Sequence, residues 1–188
     1  MLIQKNNPES IEITATYLRN KKLVIIPTDT IYGFSGIVPE GNKLIIKAKG
    51  RDEGKPFIQL ISCPEELEQF SPDMLHKDLK ALWPGAVTII VRNNFGGTTA
   101  FRCPGDMWLR SVIQKTGKPI YSTSVNKAGE AALNTISDIC TIFGMTADLI
   151  VDNGDSVESI ASTIIDASNG GCRIIRQGAV KIPSHLVS

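Results

Sequence analysis

Histidine is scarce in this chain of 188 residues: only His76 and His185 occur, and neither lies beside a candidate nucleophile. Gly-x-Ser-x-Gly is also missing, so the pattern argues against a hydrolase triad. Both histidines sit in polar surroundings and read as surface residues. The four cysteines, Cys63, Cys103, Cys140 and Cys172, form no Cys-x-x-Cys pair, which leaves a zinc site little to build from. Buried, reduced thiols are expected, with Cys103 set apart because it adjoins Arg102. No apolar run approaches the roughly 18 residues that would span a membrane. The stretch from Met1 to Lys5 lacks a signal-peptide core, so the expected compartment is the cytoplasm. Aromatic residues make up 6% and no aromatic-basic stripe of the base-stacking type occurs. The net charge is only +1, so any electropositive site must be local. The phosphate loop Gly-x-x-x-x-Gly-Lys-Ser/Thr and the dinucleotide fingerprint Gly-x-Gly-x-x-Gly are both absent.

What is present begins with Lys49-Gly50-Arg51 and continues to Lys55-Pro56. The stretch lies between a helix-like run, Leu44 to Ala48, and a strand-like run, Phe57 to Ile61. Three cations in seven residues suit a polyphosphate, since arginine offers a planar fork and lysine a mobile point charge. A solvated basic loop accounts for this stretch equally well.

The chain otherwise alternates. Asn7-Pro8-Glu9 reads as a helix start, with Ile11, Ala15 and Leu18 on one face and an end near Asn20. Leu23 to Pro27 is continuously apolar, as in a strand covered on both faces, and it leads into the hydroxyl-rich turn Thr28 to Gly33. Helices are expected from Pro64 and from Pro72 to Leu82, then a strand from Ala86 to Arg92 and a polar, Gly-rich loop from Asn93 to Thr99. A strand from Ala100 to Pro104 precedes a helix from Met107 to Lys115, and Pro119 to Thr123 is a further strand. Thr135-Ile136-Ser137-Asp138 resembles a capping box for a helix to Phe143, and Leu149 to Asp152 is a strand. Ser162 to Asp166 and Cys172 to Arg176 flank Asn169-Gly170-Gly171, the clearest hairpin signal in the chain. The pattern predicts one α/β domain over 1–188, with a twisted mixed sheet flanked by helices.

Five segments lie at strand ends and present hydroxyl or cationic groups: Thr28 to Gly33, Lys49 to Lys55, Arg102, Ser122 to Asn126, and Ser162 with Arg176. Arg102 and Arg176 stand among apolar neighbours, where an unpaired cation is costly. Either each meets a bound anion or each pairs with a structural carboxylate.

Seven motifs then follow in order: Pro27-Thr28-Asp29-Thr30-Ile31-Tyr32-Gly33, Lys49-x-Arg51, Trp83-Pro84-Gly85, Arg102-x-Pro104, Ser124-x-Asn126, Ser162-Thr163 and Arg176-x-Gly178. Together, across about residues 8–180, they resemble the YrdC/Sua5 family of threonylcarbamoyladenylate synthases, in its short form without the extra C-terminal domain. Two positions depart from the common pattern: Asp52 follows the Lys-x-Arg pair where many members have Pro, and Leu60 stands where many have His. Asp52 places a carboxylate beside the phosphate site that the resemblance implies. Asn126 is present, whereas a related group of unknown activity lacks it.

The resemblance implies a YrdC-like α/β twist with a concave basic site. It implies that L-threonine, bicarbonate and ATP are joined into threonylcarbamoyl-AMP with release of pyrophosphate, in a nucleotidyl transfer. Arg51, Lys55, Ser124, Arg176 and the backbone near Thr98 would hold ATP. Lys49, Arg51 and Asn126 would carry the catalysis by orienting phosphates or the carbamate. Thr30, Arg102, Ser122 and Ser162 would hold threonine, with Arg102 on its carboxylate. Magnesium would accompany ATP without a dedicated carboxylate cage. The partner implied is a threonylcarbamoyl transferase complex of the TsaD/TsaB/TsaE type acting on adenosine 37 of tRNA, with weak tRNA or double-stranded RNA binding and no membrane. The alternatives are a non-catalytic RNA-binding module of the same fold and a carbamoyl-adenylate domain that uses carbamoyl phosphate.

Overall fold

The apolar run at 23–26 needs cover on both faces, and the computed structural model supplies it, describing residues 1–51, 54, 56–156 and 160–187. The strands in chain order are β1 (Leu2–Gln4), β2 (Val24–Ile26), β3 (Gly33–Ile37), β4 (Ile58–Leu60), β5 (Val87–Arg92), β6 (Thr98–Arg102), β7 (Ile120–Ser124), β8 (Leu149–Asp152), β9 (Thr163–Asp166) and β10 (Arg173–Arg176). The helices are α1 (Ser10–Arg19), α2 (Gly41–Lys49), α3 (Lys77–Lys80), α4 (Met107–Thr116) and α5 (Ile136–Phe143). Among the described residues the strands form one mixed sheet in the order β1-β8-β2-β3-β7-β4-β6-β5-β9-β10. Parallel pairs join β1 to β8, β8 to β2, β4 to β6 and β5 to β9, and the remaining neighbours run antiparallel.

Alternation along β2 sends its residues into two separate cores. Val24 and Ile26 meet Leu18, Leu109, Val112 and Ile113 of α1 and α4. Ile25 meets Phe34, Ile45, Ile139 and Phe143, the last two from α5. A third core lies under the far half of the sheet, where Val87, Ile89, Phe101 and Ile165 pack with Trp83, Leu67 and Leu79. The Trp83-Pro84-Gly85 segment ties this half together: Trp83 Nε1 donates to Val87 O (2.6 Å), and Gly85 N donates to Cys103 O (2.9 Å).

The mixed sheet, the capped helix after Thr135 and the late hairpin agree with the sequence reading, the hairpin carrying a bulge between Ile174 and Arg176. Three expectations need correction. The helix expected over 72–82 is confined to Lys77–Lys80, because Ser71 Oγ accepts from Asp73 N in a turn and His76 caps the helix by accepting from Asp78 N. Asn7 does not cap α1; its Oδ1 accepts from Glu9 N, and the helix starts at Ser10. The segment Pro64–Gln69 is a 3-10 helix. Strand β3 escaped the sequence reading because Gly33-Phe34-Ser35-Gly36-Ile37 is neither an apolar run nor an alternation.

The glycine in β3 has a packing cause. A Cβ on Gly36 would lie 2.7 Å from the Gly41 Cα, and one on Gly41 would lie 2.5 Å from the Gly36 carbonyl carbon. Helix α2 therefore rests backbone to backbone on the sheet, with no flexible side chain able to yield. Alanine in an exposed helix interior stabilises by roughly 1 kcal/mol relative to glycine. Here Gly41→Ala is expected to destabilise by about 1–3 kcal/mol through overpacking. Urea denaturation decides the sign, and a stabilised variant would show that α2 can lift off β3.

Candidate active site

The cavity that gathers the candidate residues has a volume of about 420 Å3 and is lined by Thr28, Thr30, Arg102, Ser122, Ser124, Ser162 and Arg176 over an apolar floor that includes Phe57, Leu60 and Ile164. These residues are far apart in sequence, and the sheet brings them together. Ser122 and Ser124 alternate in β7 and so share a face. Ile58 of β4 pairs with Ser122, and Leu60 pairs with Arg102 at the end of β6. Ser162 directly precedes β9, and Arg176 closes β10.

Charge sets the character of the cavity. Arg102 is only 4% exposed. Burial pushes its guanidinium below the ordinary arginine value, Asp29 pulls it back, and the nearby Arg176 pushes it down again. Burial likewise lowers Arg176. Arg102 Nη1 donates to Thr30 Oγ1 (3.1 Å), while Nη2 lies 3.2 Å from Asp29 Oδ1. The structural carboxylate expected for a buried arginine is therefore Asp29, and Arg102 also lines the cavity. Arg176 donates through Nε and Nη2 to Ser162 O (3.2 and 2.8 Å), and Ser162 Oγ shares a hydrogen bond of 2.9 Å with Thr88 Oγ1. Two guanidiniums and several hydroxyls around one small space suit an anion.

Lys49 and Asn126 stand behind this surface and do not line the cavity. Lys49 Nζ donates to Ser124 O and to Asn126 Oδ1, both at 2.7 Å. Ser124 Oγ donates to the same Oδ1 (2.6 Å), and Asn126 Nδ2 donates to Lys127 O and Glu130 O, both at 2.8 Å. Helix α2 stops directly above this knot at Gly50, whose φ of +60° is a left-handed helix end that favours glycine. The Lys-x-Arg and Ser-x-Asn motifs thus meet in space: Lys49 holds the Ser124 carbonyl and the Asn126 amide oxygen, and that oxygen in turn accepts from the Ser124 hydroxyl. Arg51 lies with its guanidinium carbon 5.0 Å from the centre of the Phe57 ring, which lines the cavity, but Arg51 itself does not line it. Thr98 is at the other end of β6 from Arg102, roughly 13 Å along the strand at ~3.3 Å per residue, and does not line the cavity. Lys55 and Asp52 lie outside the described residues.

Asp29 and Tyr32 belong to the first motif, and the sequence assigns neither a role. Asp29 was legible in principle, because a buried arginine calls for a carboxylate. Tyr32 is fully buried; its hydroxyl donates to Gly154 O (2.7 Å) and accepts from Asn153 N (2.9 Å), which no pattern near it announces. Cys103 is not a nucleophile here: burial pushes its thiol up to about 12, and its Sγ contacts Ser62 O. Among the described residues no three His, Cys, Asp or Glu side chains converge as a metal site, and no helix is long and apolar enough to cross a membrane. A larger cleft of about 860 Å3 includes His76, His185, Asp73 and Arg92, but both histidines are exposed and Arg92 is paired with Asp73. Volume alone does not mark the site.

Burial, reinforced by the charge of Arg51, lowers the Lys49 ammonium to about 8. The unfolded chain then binds more protons than the folded one between about pH 8 and the unperturbed value near 10.4. Folded stability should rise with pH across that window by at most about 1.4 kcal/mol per unit from this group. In urea titrations, wild type should gain stability relative to Lys49→Met between pH 7 and pH 9.5. An unchanged difference would show that Lys49 is solvated in the folded protein.

The sequence model of the Sua5/YciO/YrdC family, described as telomere recombination, matches residues 16–178. A threonylcarbamoyl-AMP synthase of Pyrococcus abyssi is 28% identical over 186 residues, covering 92% of this chain and 55% of the relative. One of Bacillus subtilis is 27% identical over 193 residues, covering 95% of this chain and 56% of the relative. The chain thus spans a little over half the length of these relatives. The structure of Pyrococcus abyssi Sua5 complexed with L-threonine superposes with a TM-score of 0.85 at 25% identity, over 95% of this chain and 57% of that one. Escherichia coli YciO shares the fold at a TM-score of 0.83 and 20% identity, over 96% of both chains.

Proposed function

We propose that this chain, which belongs to the Sua5/YciO/YrdC family, joins L-threonine, bicarbonate and ATP into threonylcarbamoyl-AMP and pyrophosphate. The observation that carries the reading is the convergence of Thr30, Arg102, Ser122, Ser124, Ser162 and Arg176 on one small cavity with two guanidiniums. Its volume of about 420 Å3 suits an amino acid and the reacting end of a nucleotide.

The chemistry asks for positioning and charge stabilisation, with no protein nucleophile. The free amine of threonine condenses with bicarbonate, losing water, to give a carbamate. A carbamate oxygen then attacks the α-phosphorus, the new O–P bond forms as the bond to the β-phosphate breaks, and pyrophosphate leaves. Arg102 would hold the threonine carboxylate, with Thr30, Ser122 and Ser162 supplying hydroxyls. Ser124, Arg51 and Arg176 would face the phosphates, and Lys49 with Asn126 would hold Ser124 in place. Magnesium would arrive on the nucleotide, coordinated by phosphate oxygens and water. The product is a mixed anhydride prone to hydrolysis, so a separate transferase acting on tRNA would consume it.

Pyrophosphate release measured without tRNA tests this directly. Release is expected only when threonine, bicarbonate and ATP are all present, and carbamoyl phosphate should not replace bicarbonate and threonine. Equal release with either omitted would overturn the synthase assignment.

Arg102 can be tested separately. Arg102→Lys keeps the charge and loses the fork that matches a carboxylate. The threonine KM is expected to rise about tenfold or more, in keeping with about 1.5–3 kcal/mol for a charge-assisted hydrogen bond, while the ATP dissociation constant stays within about twofold. Loss of ATP binding with an unchanged threonine KM would move Arg102 to the other substrate.

A further inference from the structure

Asp29 lies in the turn between β2 and β3 and does not line the cavity. Its side chain is 15% exposed and stands against the buried Arg102. One oxygen, Oδ2, accepts from Gly105 N at 2.8 Å, and this fixes the carboxylate against the segment that leaves β6. The other, Oδ1, has no hydrogen-bond partner and lies 3.2 Å from Arg102 Nη2. From the same turn, Thr30 Oγ1 accepts from Arg102 Nη1 (3.1 Å), and Thr28 Oγ1, 2.9 Å away, braces Thr30 while donating to Ile31 O. Both terminal nitrogens of the guanidinium are therefore referenced to one three-residue turn. Arg102 Nε is buried without a partner, and a buried donor with no acceptor is a place where an acceptor belongs.

A guanidinium is a flat fork, so its use depends on which edge it presents. The tether to Thr28–Thr30 leaves Arg102 its Nε–H and one further N–H on each terminal nitrogen. Arg176, on the opposite side of the charge balance, repels Arg102. Without Asp29, the cavity would present two guanidiniums with no carboxylate among the described residues that line it, and their repulsion would be unopposed there.

We propose that Asp29 is the positioning residue for Arg102, holding its guanidinium in the plane that receives a substrate carboxylate. The inference rests on Arg102 as the threonine carboxylate partner. Asp29→Asn keeps the shape but removes the charge. If the amide oxygen takes the Gly105 N–H, the amide nitrogen faces the guanidinium, donor against donor.

Two measurements test it. The first is steady-state pyrophosphate release. Asp29→Asn should raise the threonine KM at least tenfold, leave kcat within threefold and leave the ATP dissociation constant within twofold. In an Arg102→Lys background the same change should add less than twofold, because the fork it positions is gone. An unchanged threonine KM, or an equal loss in the Arg102→Lys background, overturns the proposal. The second is nitrogen NMR of the arginine side chains of the wild type, with the Arg102 signals assigned by their loss in Arg102→Lys. Separate, slowly exchanging Nη signals from Arg102 are expected in the free protein, and one averaged set overturns the proposal even if Asp29→Asn fails to fold. A wild type that releases no pyrophosphate with threonine would sink the functional reading, while these spectra would still decide whether the Arg102 guanidinium is held in the free protein, and their averaging in a folded Asp29→Asn would show that Asp29 holds it.

Discussion

A guanidinium buried at the end of a strand is the constraint around which the rest of this molecule is arranged. Arg102 is almost wholly removed from water, and a cation in that position must be met by acceptors. The chain supplies them from one turn, through the carboxylate of Asp29 and the hydroxyl of Thr30. That turn can only lie there because β2 ends against β3 and β3 pairs with β7, which sets Thr30 beside Ser122 and Ser124. The short strand β4 then bridges β7 and β6, so the residue that needs the counter-ion and the turn that holds it face the same space.

A second cation is treated differently. Lys49 is as buried as Arg102, yet its hydrogen bonds go to a backbone carbonyl and an amide oxygen instead of a carboxylate. A compact ammonium with three donors can gather neutral oxygens from several directions, which a planar fork cannot. The result is a knot in which the end of α2 and the loop after β7 are stitched together, with Ala128 N donating to Lys49 O (2.9 Å) and Lys127 Nζ to Ala48 O (3.1 Å). Because no carboxylate among the described residues offsets it, this ammonium carries the cost of its burial, with the repulsion of Arg51, as a lowered proton affinity.

The sequence made the strand-helix alternation, the hairpin and most of the cavity readable, for physical reasons. Continuous apolar runs report burial on both faces, as at β2 and β8, and hydroxyl or cationic residues at strand ends report the places where a sheet opens to a ligand. Six residues named from those signals, Thr30, Arg102, Ser122, Ser124, Ser162 and Arg176, do line one cavity. Depth was not readable. Nothing in the one-dimensional pattern says that Lys49 and Asn126 stand behind Ser124, because their burial follows from α2 resting on the sheet through Gly36 and Gly41. Nor does the pattern place Thr98 away from Arg102, since both belong to β6 and only the strand's length separates them. Strand β3 was hidden by the glycines that the contact requires.

The two buried cations differ in what an arriving anion can do for them. At Arg102 the charge is already shared with Asp29, so a carboxylate in the cavity competes with a fixed carboxylate for a guanidinium that has N–H groups to spare. Such sharing favours selectivity for geometry over strength, because an anion that cannot reach the unused edge gains little. At Lys49 no carboxylate among the described residues competes, and the ammonium is turned toward Ser124 O and Asn126 Oδ1, away from the cavity lining. Arg51 and Arg176 are less deeply buried: Arg51 stands beside the Phe57 ring, and Arg176 lines the cavity while donating to Ser162 O. The fold thus grades its positive charge by depth: the two deeply buried cations help fix the shape of the site, and Arg176 lies nearer the surface of the same cavity.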